Sequence, residues 1–135
     1  GPPKQESVVA QIYHANMANT EAAWLAVERY FPQADEFDLN LARQGLVRDY
    51  LLEAEQPFRA IRPLETLKNS SAADESVEAF AKAGLTVAHA QRHRWRLAQR
   101  ELAKLDSKLI TALAEYDPRM SQLFQQARNV INENL

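Results

Sequence analysis

From Phe80 to Tyr116 the chain repeats a single pattern. Phe80, Gly84, Val87, Gln91, Trp95, Ala98, Leu102, Leu105, Leu109, Ala112 and Tyr116 follow one another in steps of three and four. At 3.6 residues per turn those positions share one face of an α-helix. Strict alternation of apolar and polar residues, the mark of a half-buried strand, never persists along the chain. The spacing predicts one helix from about Asp74 to Tyr116, on the order of 60 Å long at the usual helical rise. If Gly84 interrupts it, the helix runs from about Leu85 to Tyr116.

The residues that follow extend the argument. Asp117 and Pro118 make an N-cap and first-position pair. Met120, Leu123, Phe124, Ala127, Ile131 and Leu135 then line one face of another helix. So short a turn predicts an antiparallel hairpin of residues 85–116 and 118–134.

Towards the N-terminus, Ser7 suits an N-cap, and a helix is expected from there to Tyr30 or Phe31, where Pro32 stops it. The polar stretch Asn16–Thr20 marks a kink or a break, with Thr20 placed to cap a second piece. Another helix is expected from Asp38 to Pro57. Gly45 lies inside it at a cost of roughly 1 kcal/mol against alanine, which implies a neighbour passing close by. Residues 57–73, punctuated by Pro57, Pro63 and Asn69-Ser70-Ser71, read as a surface crossover. Phe58, Ile61, Leu64 and Leu67 give it one short amphipathic turn. The expected fold is therefore all-α: an antiparallel bundle of four to five helices with a long C-terminal helical hairpin.

Residues 7–135 are expected to form a single helical-bundle domain, with 1–6 a disordered start outside it. The Gly1-Pro2 opening, without methionine, reads as the remnant of a cleaved tag, and the chain as a piece of a longer protein. With no cysteine, disulfides, thiolate metal sites and thiol catalysis are excluded. The longest apolar run, Ala22 to Val27, falls far short of the ~20 residues that span a bilayer. With no signal peptide in view, the expected location is the cytoplasm, or the periplasm for an excised sensor domain.

The net charge of −2 is unevenly spread. Residues 1–75 carry twelve acidic and seven basic side chains, and residues 76–135 carry six and nine. The basic excess gathers on the predicted long helix. At 100° per residue His89, His93, Arg96 and Arg100 lie opposite the apolar stripe, flanked by Arg92 and Lys104. Such a ridge suits an acidic protein surface, a phosphate or a carboxylate.

Other chemistries fare worse. His89 and His93, four residues apart, reach one metal ion from a single helix face. The segment His89-Ala90-Gln91-Arg92-His93 lacks the glutamate that zinc peptidases place beside the first histidine, and the arginines repel a cation. Neither a metal nor a cofactor is expected. Trp95 belongs to the apolar stripe, and a small basic patch on an acidic chain is unlike a nucleic-acid module. Glycine-rich phosphate loops and nucleophile elbows are missing, so no enzyme is expected.

The reading that follows is a non-catalytic protein–protein interaction domain, an adaptor, assembly or homodimerising module of a larger protein. Its partner is an acidic surface or a second copy. The alternative is an excised ligand-sensing helical bundle of a bacterial membrane receptor, binding a small anion. A third reading gives the basic helix face a minor nucleic-acid role.

Overall fold

The structure, a computed structural model, describes residues 1–135. It is all-helical, with eight α-helices and one π-helical turn: α1 Val8–Ala18, α2 Glu21–Tyr30, α3 Glu36–Arg48, the π-turn Asp49–Glu53, α4 Pro57–Lys68, α5 Glu75–Gln91, α6 Trp95–Leu102, α7 Ser107–Tyr116 and α8 Pro118–Glu133. No helix is long and apolar enough to cross a membrane.

α5 is the centre. Eleven of its seventeen residues are buried, among them Phe80, Leu85 and Val87, so it is apolar nearly all round. α4, α6, α7 and α8 pack against it, while α1, α2 and α3 form a group joined through α3 to α4. At Gly84 the helix lies so close to Leu64 of α4 that a Cβ would collide with that side chain. Gly84 therefore marks a close crossing and not a break.

The long predicted helix is three helices. α5 stops in a Schellman motif: Arg94 N donates to His89 O (2.9 Å) and His93 N to Ala90 O (3.0 Å). His93 holds the left-handed position at φ 58°, where glycine is usual. A second break follows α6, where Asp106 caps α7 by accepting from Leu109 N at 2.9 Å. The apolar register nonetheless survives both breaks. Ala98, Leu105 and Leu109 are buried, and Trp95 and Leu102 half-buried. Separate short helices thus turn the same stripe inward.

Sequence cues at the N-terminus resolve in the same way. Ser7 and Thr20 each cap a helix, and Asn19 between them adopts φ 49°, a true break. Asp35 caps α3, three residues ahead of the expected start. Pro57 does not end a helix but occupies the first turn of α4, so the expected crossover is largely a twelve-residue helix. Its Ala60, Leu64 and Leu67 are buried while Phe58 is exposed. The close neighbour expected at Gly45 is the Trp24 ring of α2, which a Cβ there would approach to 2.5 Å.

Polar ties join the groups. The Tyr116 hydroxyl donates to Gln44 Oε1 (2.6 Å), and Arg48 pairs with Asp117 (2.6 Å), fastening the α7–α8 junction to α3. Arg43 bridges Glu28 and Glu36. The segment before α1 is held as well: Tyr30 donates to Pro2 O at 2.6 Å and Gln11 Nε2 to Pro3 O at 3.2 Å.

Candidate functional site

The break at residues 92–94 rearranges the expected basic ridge. His89 lies near the end of α5 and turns inward; its Nδ1 is buried without a partner. Burial holds its pKa below the ordinary 6.5, with Arg92 and Lys104 pushing the same way and Glu101 and Glu65 opposing. Glu101 of α6 is itself buried, salt-bridged to Lys104 at 3.1 Å, with Oε2 unpartnered. Lys104 is thus committed to an internal carboxylate. Arg92 leans over the Phe58 ring of α4, 4.8 Å from its centre, and so braces α5 against α4.

His93 follows a different course. Its left-handed backbone takes it off the His89 line, and its ring stacks on Trp95 with centroids 5.2 Å apart and planes 13° apart. The expected His89/His93 pair on one straight face does not form, since the chain leaves the helix between them. No three His, Cys, Asp or Glu side chains are grouped to hold a metal ion.

What remains of the ridge is the corner between α5 and α6. Arg94, Arg96 and Arg100 are exposed, and none has a carboxylate within salt-bridge distance. Arg96 and Arg100, four residues apart on α6, share its outer face. Beside the corner a recess of about 260 Å³ opens between α5 and α8, lined by Val87, Ala90, Trp95, Leu123, Ala127 and Val130 with His93, Gln91 and Gln126 at its polar positions. The α8 contribution is a strip at residues 123, 127 and 130, one helix face. Val130 on its rim is 40% exposed.

No family model, no curated protein and no solved structure matches this chain.

Of the six expected site residues, His93, Arg96 and Arg100 lie at this corner. Arg92 turns to α4, while His89 and Lys104 turn to Glu101. Sequence reasoning missed Arg94 and the recess. On one continuous helix Arg94 falls off the ridge, and only the break at residues 92–94 brings it to the corner. The α8 strip was visible as apolar periodicity but indistinguishable from core.

Proposed function

We propose that this chain is a non-catalytic docking domain that receives an acidic amphipathic segment of a partner protein. The segment's apolar face lies in the recess between α5 and α8, and its carboxylates meet Arg94, Arg96 and Arg100. One observation carries the reading: three exposed arginines without internal partners stand beside an apolar groove that contains an accessible tryptophan. Tryptophan and arginine are the residue types that most often dominate interface energetics, and a groove flanked by one sign of charge suits a helix-in-groove mode. Unpaired arginines also steer encounter with an opposite charge.

The test uses fluorescently labelled synthetic helices, one acidic and amphipathic, one a scramble of equal charge without an apolar face. Anisotropy should show binding of the first, weakening as salt rises. The double variant Arg96→Glu/Arg100→Glu should weaken it about tenfold or more. Equal binding of the scramble, or affinity undiminished in the double variant, overturns the reading. Sedimentation supplies the self-association arm, because the acidic first half of a second copy offers the same chemistry. A concentration-dependent mass that the double variant abolishes identifies a homodimer as the docked form.

A further inference from the structure

A concavity larger than the docking recess lies on another part of the molecule. α2 and α4 both pack on α3 but hardly on each other, and the gap between them is a groove of about 610 Å³. It shares no lining residue with the recess between α5 and α8. Leu46 of α3 and Tyr50 of the π-turn, both buried, make its floor. Leu25 of α2 stands on one wall, with Phe58, Ile61 and Pro63 of α4 on the other. Phe58 is 69% exposed and Leu25 46%, so both walls turn apolar surface to water. Small-molecule sites have this size and lining, typically ~300–1,000 Å³ with a few polar groups to orient the ligand.

Pro63 adds to the case. It stands inside α4, where a proline costs helix stability because the Arg59 carbonyl loses its helical donor. Residues that break a local rule tend to do so at functional surfaces, and this one forms part of the groove's wall.

The polar groups decide what the groove accepts. Arg59 pairs with Glu21 at 2.6 Å and so ties α4 to α2. The Tyr50 hydroxyl and the Arg59 guanidinium hold the Glu21 carboxyl below its ordinary 4.5, and it stays ionised and committed. Burial and Glu21 push the Tyr50 hydroxyl up to about 12, which keeps it neutral. Arg62 has no such partner. It is exposed, and the one carboxylate on its own helix, Glu65, is taken by Lys68 at 3.3 Å. Among the lining side chains two guanidinium groups therefore stand against one carboxylate. Arg92, also without a carboxylate within salt-bridge distance, adds a further positive charge 4.8 Å from the Phe58 ring. An anion with an apolar body complements that arrangement, because a guanidinium can hold a carboxylate by two parallel hydrogen bonds.

We propose that the groove between α2 and α4 binds a small apolar carboxylic acid, its carboxylate held by Arg62 and its hydrocarbon body laid against Leu25, Phe58 and Ile61. The site is separate from the docking corner and does not depend on that reading.

Octanoate is the probe, followed through the methyl resonances of Leu25, Leu46 and Ile61 in the intact chain. They should move saturably with octanoate. Acetate, the head group alone, should leave them fixed, and 1-octanol, the uncharged chain, should bind about tenfold more weakly or worse. Arg62→Gln, at an exposed position, should weaken octanoate about tenfold and leave 1-octanol unaffected. Arg96→Glu/Arg100→Glu, at the docking corner, should bind octanoate as the wild type does. Resonances that stay fixed or move without saturation, equal affinity for octanoate and 1-octanol, or an octanoate affinity unchanged in Arg62→Gln overturns the proposal. So does a loss of octanoate binding in the double variant, which assigns the acid to the docking corner instead.

Discussion

The imidazole of His93 lies flat against the indole of Trp95, with ring centres 5.2 Å apart, while its own backbone sits in the left-handed region at φ 58°. The two facts oppose each other in energy. A left-handed residue with a Cβ costs on the order of 1–2 kcal/mol; an aromatic stack returns about 0.5–1.5 kcal/mol. His93→Ala loses the stack and keeps the strain, and should lose about 1 kcal/mol. His93→Gly loses the stack and sheds the strain, and should stay near wild type. Urea unfolding checks the order, and an alanine variant as stable as the glycine one contradicts it.

Gly45→Ala should destabilise despite alanine's better helix propensity. The gain of ~1 kcal/mol in propensity is outweighed by the cost of about 1–3 kcal/mol for overpacking. The new methyl would lie 2.5 Å from a Trp24 ring that Asn19 holds through its Nε1. A net loss of up to about 2 kcal/mol is expected from the same unfolding measurement, together with a shift in tryptophan emission.

Acid should weaken the fold through His89. Its folded pKa lies below the unfolded value of 6.5, so the unfolded chain binds the proton more tightly. The stability that neutral His89 preserves is complete above about pH 6.5 and is lost as pH falls from there towards the folded pKa. His89→Gln should flatten the slope of unfolding free energy between pH 7 and 5. Asp49 acts with the opposite sign and at lower pH, since its folded pKa is raised above 3.8. A slope unchanged in His89→Gln would mean that another group carries the acid response.

Arg96→Glu and Arg100→Glu should each change stability by no more than about 0.5 kcal/mol, as exposed positions without ion pairs usually do. Circular dichroism melts check this. A large loss in either variant would assign these arginines to the fold and not to a partner.

The helical class was legible because its signal, apolar spacing in steps of three and four, is set by burial and does not depend on where helices end. The ends were harder. Pro57 reads equally as a stop or as a first-turn residue, and only the preceding π-turn decides between them. The stop at residues 92–94 rests on a histidine in a conformation that usually announces itself as glycine. A helix continued through that stop sets His89 and Lys104 on one ridge with the arginines, whereas His89 is half-buried and Lys104, though exposed, is paired with Glu101. Nothing in the spacing of Leu25, Tyr50 and Arg62 brings them together, because their meeting depends on how α2, the π-turn and α4 pack.

The burial of α5 on nearly every side has a consequence for synthesis. When the ribosome has released the chain only as far as Gln91, α4 covers part of that helix, while the sides that α6, α7 and α8 will shelter have nothing to lie against. A nascent chain paused there presents a long greasy rod to its surroundings. The last forty or so residues therefore act as a lid that must arrive before the earlier ones are safe, and a message cut short within them yields a sticky product and not a smaller domain.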